Sequence, residues 1–160
     1  MKVLMIVDLQ NGFMVKDCYV GLIEKIEELL KKCKYDKVIF TKFVNKNDSM
    51  YERYLNWSKL KLKNEQEIAI PLPKNSEVRE KTGYGLNAED ITRIKAMGVN
   101  KVDICGLQTD ACIYAIALQL FDNGILPNIL INYTATSQES MEVVKNILVH
   151  QFGSVDESVF

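Results

Sequence analysis

The sequence predicts an α/β fold of three layers, with a mostly parallel sheet between helices on both faces. Two observations carry this. Short apolar runs alternate with longer segments of helical periodicity along the whole chain. Several of those runs are apolar without alternation, as in strands covered on both sides. With 160 residues, 48% of them hydrophobic, the chain is expected to form one domain, residues 1–160, with a sizeable core.

The first run is Val3-Leu-Met-Ile-Val7, a strand that stops at Asp8. Segment 20–32 puts Leu22, Ile23, Ile26, Leu29 and Leu30 on one helical face and charges on the other. Residues 38–44 form the second strand. Segment 45–67 is the least regular. Its Tyr51, Tyr54 and Trp57, spaced by three, read first as a short amphipathic helix. Aromatics are also favoured in substrate-covering loops and subunit contacts. Ile68-Ala-Ile-Pro-Leu-Pro73 is an extended connector, because proline restricts the residue before it.

Residues 77–81 form a third strand, ending in the turn Thr82-Gly-Tyr-Gly-Leu86, which matches no phosphate-loop pattern. A helix over 88–97 stops at Gly98. A short strand, 102–105, ends in Gly106. After Leu107-Gln108-Thr109-Asp110 comes an Ala-rich helix, 111–121, which Thr109 or Asp110 can cap and Gly124 can stop. A strand at 128–131, a helix at 138–151 and a last short strand at 153–155 complete the chain.

Charge and composition exclude several functions. The net charge of −1 points to no nucleic-acid partner. No apolar run reaches the roughly 20 residues that cross a bilayer. Cys18, Cys33, Cys105 and Cys112 form no Cys-x-x-Cys pair, so a reducing cytoplasm is the expected compartment. The single histidine, His150, reads as a surface or packing residue of the last helix. No zinc spacing exists, and neither metal nor cofactor is expected.

Three polar residues fall at strand ends: Asp8, Lys81 and Cys112. Open α/β sheets gather such ends along one edge, where ligands bind. Cys112 is expected in the first turn of its helix, where unpaired N–H groups favour an anion. Its thiol is therefore expected to ionise below the usual value of about 8.5. A neighbouring carboxylate can take the thiol proton, and a lysine can steady that carboxylate. Taken singly, each residue has a plainer reading. Cys112 could be a small buried hydrophobe, Asp8 a loop cap and Lys81 a solvated surface charge.

Together these residues resemble a known family, the isochorismatase-like cysteine hydrolases, which include nicotinamidases and carbamoylsarcosine amidohydrolases. Val7-Asp-Leu-Gln-Asn-Gly-Phe13 is similar to the family's first-strand motif, Lys81-Thr-Gly-Tyr84 to its lysine motif, and Gly106-Leu-Gln-Thr-Asp-Ala-Cys112 to its nucleophile loop. The resemblance covers nearly the whole chain. It implies a Rossmann-like fold, an Asp8-Lys81-Cys112 triad, and a cis peptide at Leu107–Gln108. It also implies an oxyanion hole from the N–H groups of Gln108 and Cys112. Phe13, Trp57 and Tyr84 are the expected substrate contacts. The implied activity is hydrolysis of a small amide or ureido compound through an acyl-enzyme on Cys112, by a homo-oligomer (dimer or tetramer). The chain departs from the family in two places. Thr41-Lys-Phe-Val-Asn-Lys46 lacks the Asp-x-His motif of zinc-dependent nicotinamidases, and Asn132 stands where the family usually has Asp. Members that act on isochorismate, a vinyl ether, lack the cysteine. A non-catalytic binding protein on the same scaffold is the reading from another class. A receiver-type signalling domain fits poorly, since an acidic pair after the first strand is missing.

Overall fold

Five strands form one sheet: β1 (Val3–Val7), β2 (Lys37–Phe43), β3 (Ser76–Lys81), β4 (Lys101–Leu107) and β5 (Leu126–Ala135); all but the charged edge strand β3 carry branched apolar residues. The computed structural model describes residues 1–14, 17–136 and 141–160, with 17 and 18 in backbone only. The strand order is β3-β2-β1-β4-β5, and every described pairing is parallel. The chain winds outward from β1 to β3, then returns to place β4 on the other side of β1. The junction between β1 and β4 is therefore the switch point at which such sheets open a crevice.

Among the described residues, six α-helices flank the sheet: α1 (Asp17–Lys32), α2 (Met50–Leu55), α3 (Lys63–Gln66), α4 (Ala88–Ala96), α5 (Tyr114–Asp122) and α6 (Met141–Phe152). Alternate β1 side chains serve opposite faces. Leu4 and Ile6 pack with Tyr19, Leu22, Ile26 and Leu29 of α1. Val3, Met5 and Val7 pack in the cluster built by α4, α5 and α6, with Ile94, Leu120 and Leu148 among its buried members. Burying each such side chain contributes about 1.5–3 kcal/mol. Both faces of β1 are thus covered, as its unbroken apolar run requires. No described helix is long and apolar enough to cross a membrane.

Several boundaries differ from the sequence expectation. β4 runs on through Gly106 to Leu107. β5 spans ten residues rather than four: its pairing with β4 shifts register between Ile104 and Gly106 and resumes at Thr134 and Ala135, beyond the apolar run. The last strand expected at 153–155 reduces to one bridge between Leu130 and Asp156. The irregular stretch holds two short helices. Ser49 caps α2 by accepting from the Glu52 N–H at 3.3 Å. Of the helix expected over 138–151, residues 138–140 lie outside the described residues.

Gly106 fixes how closely the two central strands approach. Its φ is +110°, and a Cβ there would lie 2.2 Å from the Val7 carbonyl oxygen. Only glycine lets β4 come this near β1 just before the site.

Candidate active site

Asp8 leaves β1 in the left-handed region, at φ +49°. Such strain in a non-glycine residue persists only where its surroundings hold it. Here Thr41 of β2 does so. The Asp8 N–H donates to Thr41 Oγ1 at 3.1 Å, and that hydroxyl donates to Asp8 Oδ1 at 2.6 Å. Both residues are fully buried. Gln10, also fully buried, ties the next turn down. Its amide donates to the Phe43 and Gln66 carbonyls and accepts from the Phe43 N–H.

Lys81 ends β3 and reaches across the end of β2. Its ammonium lies 2.8 Å from Asp8 Oδ2 and 5.2 Å from the centre of the Phe43 ring. It donates to the Gly83 carbonyl at 2.9 Å, to the Tyr84 carbonyl at 3.2 Å and to Cys112 Sγ at 3.3 Å. The turn Thr82-Gly-Tyr-Gly thus folds back over its own lysine. A buried lysine is costly unless paired, and here four acceptors surround it.

Cys112 lies in a π turn, Thr109–Ile113, between β4 and α5. The Ile113 N–H donates to the Gln108 carbonyl at 3.1 Å, closing the wide turn. The expected first α-helical turn is therefore π-helical, and α5 itself starts at Tyr114. Such turns occur often at functional sites. Leu107–Gln108 is cis. Gln108 lies one residue past the last β4–β5 pair, Leu107 with Ala135. Two threonines of the β5 end clamp the loop. Thr109 Oγ1 donates to Thr134 Oγ1 at 3.0 Å, and Thr136 Oγ1 donates to the Asp110 carboxylate.

The three residues singled out at strand ends thus come together. Their electrostatics differ from the expectation for Cys112. Burial pushes its thiol up, the Asp8 charge pushes it further, and Lys81 only partly opposes both. The expected easy ionisation fails because Cys112 is only 8% exposed and lies in the field of the Asp8 carboxylate. Burial pulls the Lys81 ammonium down, but Asp8 and Cys112 outweigh it and hold it up. The resting arrangement is a carboxylate, an ammonium and a neutral thiol.

Cys112 opens onto a cavity of about 370 Å³. Phe13, Tyr19, Phe43, Tyr51, Trp57 and Tyr84 supply aromatic walls. Phe13 stacks on Trp57 at 5.9 Å, and Tyr51 meets Phe43 and Tyr84 edge to face at 5.0 and 5.2 Å. All three expected substrate contacts line the cavity. Tyr51 does so too, whereas Tyr54 is 72% exposed. Sequence reasoning missed Thr41, Gln10 and the β5 threonines. Their signal was weak, since single polar residues in or beside apolar strands look like solvent-facing positions. Asn132 faces the chain end, donating to the Glu157 carbonyl at 2.8 Å. Cys33, Cys105 and Cys112 are free thiols.

The fold matches solved structures closely in shape and distantly in sequence. The nicotinamidase of Bacillus subtilis superposes with a TM-score of 0.81 at 18% identity, covering 96% of this chain and 97% of that one. The N-carbamoylsarcosine amidase of Thermoplasma acidophilum gives 0.76 at 20% identity, covering 97% and 95%. The Pyrococcus horikoshii pyrazinamidase, solved in complex with zinc, gives 0.82 at 19%, covering 94% and 96%. Here the described residues contain no group of three or more His, Cys, Asp or Glu able to hold a metal ion, so they do not fit that zinc. No curated protein matches the chain in sequence. The family model for the isochorismatase domain matches residues 2–147, and the chain belongs to the isochorismatase family of hydrolases.

Proposed function

We propose that the protein is a cysteine-dependent hydrolase of a small amide or ureido compound. The observation that carries this is the contact of Asp8, Lys81 and Cys112 beneath an aromatic cavity. The nicotinamidase and N-carbamoylsarcosine amidase folds support the same reading.

In this mechanism Asp8 takes the Cys112 proton as Sγ attacks the carbonyl carbon. The negative charge moves from Asp8 to the oxyanion in that step, which suits a neutral resting thiol. The N–H groups of Gln108 and Cys112 hold the oxyanion. The proton on Asp8 passes to the leaving nitrogen, the C–N bond breaks, and ammonia or an amine departs. Asp8 then takes a proton from water, whose oxygen attacks the thioester. The C–S bond breaks, the acid product leaves, and Asp8 returns the proton to sulfur. Lys81 holds the carboxylate in place and balances its charge throughout. No metal or cofactor enters.

Residues 1–160 act as one catalytic unit in this reading. A reducing compartment such as the cytoplasm keeps the thiol free. Exposed apolar side chains on α5 and α6, among them Phe121, Val143 and Ile147, support a homo-oligomer, which light scattering at micromolar concentration tests. The function is tested by screening small amides for ammonia release, followed by mass spectrometry of the quenched enzyme. The expected result is turnover with an acyl group on Cys112, both abolished in Cys112→Ala. Wild-type turnover by Cys112→Ala would overturn the assignment.

A further inference from the structure

We propose that Lys59 determines specificity, selecting amide substrates whose flat body carries a carboxylate remote from the scissile bond. This rests on the hydrolase reading above.

Among the residues lining the cavity, Lys59 alone has an ionised side chain. Asp8 and Lys81 lie beneath it and neutralise each other at 2.8 Å. Other lysines around the site have partners. Lys61 pairs with Glu52, and Lys42 with Glu80. The Lys59 ammonium has neither an ion pair nor a hydrogen bond among the described residues, and no carboxylate lines the cavity to attract it.

The backbone at Lys59 is held on both sides. Asn45, 4% exposed, donates its amide to the Trp57 carbonyl at 3.3 Å and the Lys59 carbonyl at 3.0 Å. The Asn45 N–H donates to the Leu60 carbonyl at 3.1 Å. Leu60 is fully buried beside Gly12. The Lys59 backbone is thus held between a wall residue and an anchor. The Lys59 side chain is exposed at the rim, so solvent screens it on one side while the apolar wall of the cavity screens it less on the other.

The other free polar groups agree. The hydroxyls of Tyr51 and Tyr84 make no hydrogen bond among the described residues. Burial first, and then the nearby thiol, push both phenols up, so they stay neutral donors. Donors and one cation suit an anionic acceptor. An aromatic cage can instead hold a cation, but Lys59 repels one here. The cavity volume of about 370 Å³ is at the small end for ligand sites. The substrate is therefore about one ring in size.

The test uses three benzamides that share one scissile group and differ at the 4-position: carboxylate, methyl and aminomethyl. Wild-type kcat/KM should fall in that order. The carboxylate compound should lead the methyl compound by about tenfold at low salt, and the gap should narrow as salt is added. Lys59→Met should bring that ratio to about one, Lys59→Arg should keep it, and Lys59→Glu should favour the aminomethyl compound. A ratio unmoved in Lys59→Met, or a wild-type preference for the methyl or aminomethyl compound, would overturn the inference. If none of the three is turned over, the hydrolase reading is what fails for this ring. Binding to Cys112→Ala by calorimetry then decides the inference. The carboxylate compound must bind more tightly than the methyl compound, and must lose that advantage when Lys59→Met is added.

Discussion

Replacing Asp8 with Asn should move turnover and thiol reactivity in opposite directions. Asparagine tolerates the left-handed conformation that residue 8 adopts, at φ +49°, so the fold should survive. Its side-chain oxygen can still accept from Thr41. The change removes the negative charge that pushes the thiol up and leaves Lys81 3.3 Å from Sγ. Two unit charges about 4 Å apart interact by about 4 kcal/mol at an effective dielectric of about 20. Part of that is screened by solvent in the cavity, so the thiolate fraction at fixed pH should rise about 10- to 1000-fold. A more acidic thiol is a poorer nucleophile, with a Brønsted slope of about 0.5, so alkylation should gain only about 3- to 30-fold. Turnover should meanwhile fall about 10²- to 10⁴-fold, since the change removes the proposed base. The assay is the rate of iodoacetamide labelling of Cys112 at pH 7, read by peptide mass spectrometry with Cys33 as internal reference. If Asp8→Asn labels no faster than wild type, the resting charge pattern described above is wrong.

Thr41→Val removes both hydrogen bonds that hold Asp8. It should cost about 1–3 kcal/mol in a urea titration and lower kcat by roughly tenfold as the carboxylate loses its aim. Gly106→Ala should destabilise by at least about 2 kcal/mol, because its Cβ would lie 2.2 Å from the Val7 carbonyl oxygen and φ is +110°. A melting temperature within a degree of wild type would contradict that contact. Stability should also decline at alkaline pH. The Cys112 and Cys105 thiols are both pushed up, the first by burial and Asp8, the second by burial and Asp103. The folded chain keeps protons that the unfolded chain loses above about pH 8.5, so stability present below that pH shrinks as pH rises. The slope should reach about 1.4 kcal/mol per pH unit for each thiol. Urea midpoints from pH 7.5 to 10 should flatten in Cys112→Ala and again in Cys105→Ala.

Much of the fold was legible because β1 is buried on both faces, which forces an unbroken apolar run, and because β2 and β4 keep short apolar cores, Val38-Ile-Phe40 and Ile104-Cys105. The reactive trio was legible because each member sits where its strand ends, and the parallel order carries those ends to one edge. Boundaries were less legible where strand pairing resumes past an irregularity, as at Thr134 and Ala135 of β5, which pair with Gly106 and Leu107. The acidity of Cys112 was misjudged. Proximity to a helix start is a local property, whereas burial and the Asp8 charge come from residues about a hundred positions away. Thr41 and Gln10 were invisible for the same reason, since their partners lie 33 residues or more along the chain.

The route of Lys81 over β2 has a mechanical consequence. Its strand, β3, pairs with β2 alone and forms one edge of the sheet. Asp8 directly follows β1, and Cys112 sits in the turn that follows β4; both strands are in the interior of the sheet. Edge elements open at lower free energy than central ones. Mild denaturant or heat should therefore peel β3 away first and carry off the ammonium that steadies the carboxylate. The enzyme would fall silent while most of its sheet was still folded. Loss of activity should then precede loss of secondary structure, with the gap between the two curves measuring the stability of one edge strand.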